Sequence, residues 1–166
     1  MKETVKKEIN ETFNELDNIL FSFTDAQLNT VPFEGSWTAG QVAEHIIKAL
    51  KGSSKLLNGP TEDVIRKPDE KIKATKDLFL NFDIKMTSPD FILPGNGTYT
   101  KDELLTSIDQ LKKEMLENSE MDLSKQCTGF ELPTFGKFTR LEWLSFYIVH
   151  TQRHTHQIKN IFRTLK

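Results

Sequence analysis

Three of the four histidines in this chain lie near its C-terminus, in the stretch TRLEWLSFYIVHTQRHTHQIKNIFRTLK. Thr139 and Glu142 form an N-cap and N3 pair there. Such a pair marks a helix start, and neither Pro nor Gly interrupts the residues after it, so the spacing predicts one helix from about Thr139 to Lys166. At about 100° per residue, Trp143, Phe146, Tyr147, His150, His154, Gln157 and Ile161 fall on one inward stripe. Gln152, Arg153, His156, Lys159, Asn160 and Arg163 fall opposite, on a face that should be wet. His150 and His154 therefore point inward one turn apart and His156 points away. Two imidazoles at i and i+4 lie roughly 6 Å apart and can converge on one metal ion. A third ligand has to come from elsewhere, and His45 is the one histidine left.

Three neutral imidazoles that leave coordination positions open are the way catalytic zinc is usually built. Nickel, iron, manganese or cobalt could take the same ligands. The competing reading is three satisfied histidines lining a polar gap in the core, and spacing alone leaves both open. Other templates are excluded. HTQRH lacks the glutamate of H-E-x-x-H, and Glu-x-x-His and C-x-x-C are absent. No glycine-rich phosphate cradle exists, and Gly95-Asn96-Gly97 reads as a turn. Gln41, one turn before His45, and Tyr147 and Gln157, flanking the pair, are candidates to orient an imidazole or contact a substrate. For each, plain capping or packing is an equal alternative. Glu44 projects about 100° from His45, so no carboxylate is placed for acid–base work.

The remaining chain supplies the elements that must position these residues. Val5, Ile9, Phe13, Leu16, Ile19, Leu20 and Phe23 give a helix over about Lys2 to Phe23. A second capping box, Thr38 with Gln41, opens a helix from about Ala39 to Asn58, ended by Gly59-Pro60, with Trp37 and Val42 as a hydrophobic staple. Pro68 can open a short helix over Lys71 to Phe82. Residues 83–97 read as a draping loop whose Phe91, Ile92 and Leu93 are expected to tuck in. Thr100 and Glu103 form a third box before a helix to about Asn118, and 119–138 is a long connection that holds Cys127. Four long helices with long connections predict an all-α four-helix bundle with crossovers, as one domain over 1–166.

Composition limits the function. The net charge of -2 argues against a general electrostatic nucleic-acid binder. One cysteine allows no internal disulfide and suits a reducing compartment. No signal-peptide pattern and no spanning apolar run is seen, so the expectation is a cytoplasmic protein without a membrane partner.

WTAGQVAEHIIKAL, followed much later by FGKFTRLEWLSFYIVHTQRHTHQIKNI, resembles the DinB-like family, which includes the YfiT-type proteins and the bacillithiol and mycothiol S-transferases. The resemblance spans almost the whole chain, including the loop ending in Pro94. It implies a four-helix bundle with long crossovers, often a homodimer. It also implies that His45, His150 and His154 are the metal ligands, most commonly of nickel or zinc, while His156 does not match. The chemistry implied is transfer of a small-molecule thiol to an electrophilic substrate. Hydrolysis through activated water is the alternative, and a non-enzymatic metal-binding stress-response role is the third reading.

Overall fold

The computed structural model describes residues 1–166. Four long helices dominate it: α1 (Lys2–Phe21), α3 (Ala39–Leu50), α6 (Lys101–Asn118) and α7 (Arg140–Leu165). Short helices α2 (Asp25–Leu28), α4 (Ser53–Leu57) and α5 (Ile72–Phe79), with a 3-10 turn at Asp90–Ile92, lie in the connections. α1 and α3 each pack against both α6 and α7, which puts α1 diagonally opposite α3. The links α1–α3 and α6–α7 therefore cross the bundle rather than closing hairpins. An antiparallel pair, β1 (Thr61–Glu62) with β2 (Gln126–Cys127), ties the two longest connections together. No helix is long and apolar enough to cross a membrane.

Local chemistry sets the helix starts. Full capping boxes close α2 (Thr24 with Gln27), α3 (Thr38 with Gln41) and α7 (Thr139 with Glu142). The box at Thr100 is only half made. Its hydroxyl accepts from the Glu103 amide at 3.4 Å and donates to the Glu103 carboxylate at 2.7 Å, leaving the reciprocal backbone bond unmade.

The expected helix over Ala39–Asn58 is broken. Gly52 sits in the left-handed region (φ 94) and divides α3 from α4. Only glycine takes that conformation without steric cost, and the apolar periodicity on both sides hides the break. α5 is also shorter than expected, and Phe82 beyond it is exposed. Pro68 does not open α5; its carbonyl accepts from the Thr139 hydroxyl at 2.6 Å.

α7 lies at the centre of the molecule. Leu141 through Thr151 are all buried, because α5 and the long connections cover the side that faces away from α1 and α3. A helix covered on all sides needs its polar groups satisfied internally. The Thr151 hydroxyl donates to the Tyr147 carbonyl and the Thr155 hydroxyl to the Thr151 carbonyl, both at 2.8 Å. Glu142, 1% exposed, holds Arg66 bidentately at 2.7 and 2.8 Å and accepts from the Thr139 and Lys71 amides at 2.9 Å each. This carboxylate locks residues 66–71 onto the start of α7, upstream of the histidines.

Candidate metal centre

His45 comes from α3, and His150 and His154 from adjacent turns of α7. His45 and His150 are buried, at 1% and 6% exposure, and His154 is half-buried. The His45 Nε2 lies 3.2 Å from His150 Nε2 and 3.0 Å from His154 Nε2. One ligand atom from each ring falls within 4.8 Å of the others. Two imidazole nitrogens about 2.1 Å from a shared ion, at right or tetrahedral angles, lie about 3.0–3.4 Å apart, so the spacing fits a single small cation.

The rest of each ring decides its protonation. His45 Nδ1 is 2.8 Å from the Ile92 carbonyl, which can only accept, so Nδ1 carries the proton. His154 Nδ1 donates to Gln157 Oε1 at 2.9 Å. Both rings therefore present an Nε2 lone pair inward, and the 3.0 Å between those atoms has no proton to bridge it. Protonating a ring is disfavoured. Burial pushes His45 down, burial with the neighbouring imidazoles pushes His150 well below its ordinary value, and burial with His45 lowers His154 to about 3. His150 Nδ1 is buried without a partner. Converging neutral donors, two of them oriented by outward-facing Nδ1–H bonds, are the arrangement that a divalent cation satisfies.

Aromatic rings surround the donors. Trp37 lies 5.2 Å from the His45 ring, and Phe146 and Phe79 lie 5.8 and 6.4 Å from the His150 ring. They make one side of the centre apolar, which strengthens any charge interaction there.

The other candidates from the sequence divide. Gln157 touches the triad through His154. Gln41 bonds no imidazole: its Oε1 accepts from the Thr38 amide at 2.9 Å and its Nε2 donates to the Gly95 carbonyl at 3.0 Å. Tyr147 also bonds none of the imidazole nitrogens. It stacks on Trp143 with ring centres 5.6 Å apart, and burial pushes its phenol up. His156, expected on a wet face, is half-buried and stacks on Phe82 at 3.9 Å. Arg153, from that same face, donates to the carbonyls of Phe79 and Asn81 at 3.0 Å each, which fastens the end of α5 to α7. Cys127, expected in a loop, is buried in β2 opposite Thr61, and burial pushes its thiol up.

Of the three loop side chains expected to tuck in, only Ile92 does so, and only in part. Phe91 and Leu93 are exposed, at 70% and 40%, and the backbone carbonyls turn inward. Beyond the Ile92 carbonyl on His45, the Leu93 carbonyl accepts from Lys48 at 2.8 Å. Glu44 receives the Gly95 amide at 2.7 Å and the Tyr99 hydroxyl at 2.5 Å, and these bonds lower its pKa against the opposing effect of burial. Backbone acceptors leave no mark in a sequence. The polar stripe Gln41, Glu44, His45, Lys48 on an otherwise apolar helix is the signal that could have found them.

Comparison with known proteins identifies the fold and the family. The chain is 27% identical over 157 residues to the uncharacterized protein YuaE of Bacillus subtilis (strain 168), covering 91% of this chain and 90% of YuaE. The fold matches the crystal structure of TT2238, a four-helix bundle protein, with a TM-score of 0.61 at 19% identity over 96% of this chain and 99% of that one. It also matches YfiT from Bacillus subtilis, described as a probable metal-dependent hydrolase with an unusual four-helix bundle topology. There the TM-score is 0.63 at 21% identity, over 99% of this chain and 87% of YfiT. The sequence profile of the DinB superfamily matches residues 8–158, nearly the whole length of the bundle, and the chain belongs to that superfamily.

Proposed function

We propose that the protein is a divalent-metal-dependent enzyme that activates a low-molecular-weight thiol for attack on an electrophile. The observation that supports it is the convergence of the His45, His150 and His154 Nε2 atoms as neutral donors. A zinc or nickel ion held there supplies Lewis acidity, which lowers the pKa of a thiol so that it reacts as a thiolate near neutral pH. The Ile92 carbonyl and Gln157 fix the ring orientations, and Phe79, Phe146 and Trp37 keep water from the apolar side of the centre.

Thiol transfer is preferred to hydrolysis because no carboxylate bonds any of the three imidazoles. Glu44, the acid nearest in sequence, is committed to the Gly95 amide and the Tyr99 hydroxyl. Hydrolysis usually calls for a general base within reach of the attacking water, whereas a thiol of lowered pKa releases its proton to solvent. The second reading is a metal-dependent hydrolase, favoured by the description of the YfiT neighbour. The test is turnover by protein loaded with zinc or nickel. Conjugation of thiols such as bacillithiol to model electrophiles, above the rate of the metal-free protein, supports transfer. Cleavage of esters or amides without any thiol supports hydrolysis, and inactivity in both assays contradicts the enzyme reading.

A further inference from the structure

We propose that Glu44 is a positioning residue for the metal centre: it clamps the backbone of residues 92–99 onto α3, making ion binding at the triad and docking of that segment one coupled event. The inference rests on the reading that the triad holds a divalent ion.

Gln41, Glu44, His45 and Lys48 lie at i, i+3, i+4 and i+7, on one face of α3. All four grip the same stretch of chain. Gln41 donates to the Gly95 carbonyl (3.0 Å), His45 to the Ile92 carbonyl (2.8 Å) and Lys48 to the Leu93 carbonyl (2.8 Å). Glu44 holds two points at once, the Gly95 amide (2.7 Å) and the Tyr99 hydroxyl (2.5 Å). Tyr99 is held from behind by its amide, which donates to Asn29 Oδ1 at 2.8 Å. Its ring lies on Gly40 so closely that a Cβ there would be 2.5 Å from a ring carbon.

The Tyr99 ring and the half-buried Ile92 give the segment some apolar contact. Phe91 and Leu93 face solvent, so the polar side chains of α3 carry much of the hold over residues 92–95. The Ile92 carbonyl is the acceptor that keeps the His45 proton on Nδ1. When the segment lifts, that proton is free to move to Nε2, and the lone pair aimed at the triad is lost. An ion on Nε2 conversely forces a proton onto Nδ1, inside a residue only 1% exposed, where it needs an acceptor. The two events favour each other, and the coupling is reciprocal. Whatever factor docking contributes to ion affinity, the ion returns to docking.

The test uses the full chain with zinc. Affinity is read by competition with a chelating dye for wild type, Glu44→Gln and Tyr99→Phe. Amide exchange over residues 92–99 is followed with and without zinc, and thermal melts confirm that each variant is folded. The expected result is zinc binding about ten-fold weaker in both variants, the range seen for residues that orient metal ligands. Zinc should also slow exchange at Gly95 and its neighbours in wild type, and less so in the variants. Unchanged affinity in both variants, or exchange over 92–99 indifferent to zinc, overturns the coupling and leaves the metal site standing. A wild-type protein that takes up no zinc overturns the metal reading, and this proposal with it.

Discussion

The Nδ1–H of His45 donates to the Ile92 carbonyl at 2.8 Å, and that bond fixes which nitrogen of His45 faces His150 and His154. A backbone acceptor from a loop thereby sets the tautomer of a ligand on a helix, and the same logic recurs at His154 with Gln157. Removing the second acceptor is the simpler experiment. Gln157→Leu leaves His154 Nδ1 without its 2.9 Å partner. Zinc affinity is expected to fall about 10- to 100-fold with little change in thermal stability. His156→Ala, outside the triad, should bind as wild type. Equal affinities across wild type and Gln157→Leu would remove Gln157 from the site.

The three imidazoles also predict how the metal-free protein responds to acid. All are held below their ordinary value in the fold, by burial throughout and by neighbouring imidazoles at His150 and His154, with His154 at about 3. Below about pH 6.5 the unfolded chain therefore binds more protons than the folded one. Stability is present in full above that pH and falls as the pH drops toward 3. The slope is about 1.4 kcal/mol per pH unit for each ring still neutral in the fold. Urea unfolding at pH 7.5, 6 and 5 reads this directly, and His154→Gln should show the shallower dependence. Identical slopes would mean that the ring is not held neutral.

Gly40 predicts a steric effect. A Cβ at this position meets the Tyr99 ring at 2.5 Å, and that ring packs against the backbone of α3. Gly40→Ala gains some helix propensity in the first turn of α3, but the clash dominates. The net cost is expected to be about 1–3 kcal/mol, read by chemical denaturation. A stabilised Gly40→Ala variant would mean that Tyr99 does not sit where the structure has it.

At the other end of α7, Glu142→Ala takes the bidentate partner from Arg66, which keeps its bond to Gln126, and frees two amides. Because Arg66 is only half-buried, the cost is set mainly by the two amides left without an acceptor and is expected to be about 2–4 kcal/mol. A drop of that size in unfolding free energy, with zinc affinity per folded molecule preserved, would separate this anchor from the metal centre.

How much of this is legible in the sequence differs between residues. His150 and His154 can be placed because a helix repeats every 3.6 residues and an inward pair one turn apart has one geometry. His45 follows only as the histidine left over, since its approach to α7 is a tertiary fact. The capping boxes at Thr38 and Thr139 form as expected, because the bonding residues are three apart. The equivalent Thr24–Gln27 box opens a helix of only four residues, too short for any periodicity to show among turn residues. The apolarity of Phe91 and Leu93 suggests burial, but carbonyls that carry no residue signature face α3 there, and these two side chains turn outward. At Gly52, the apolar residues on both sides conceal the break.

Metal content decides whether the three histidines hold an ion. Wild type and His150→Ala, purified without metal-affinity steps, are analysed by elemental mass spectrometry and then titrated with zinc and nickel. Close to one equivalent of a divalent transition metal is expected, bound or taken up by wild type and absent from His150→Ala. A wild-type protein that is metal-free and takes up neither ion would contradict it and return His45, His150 and His154 to the role of packed core histidines.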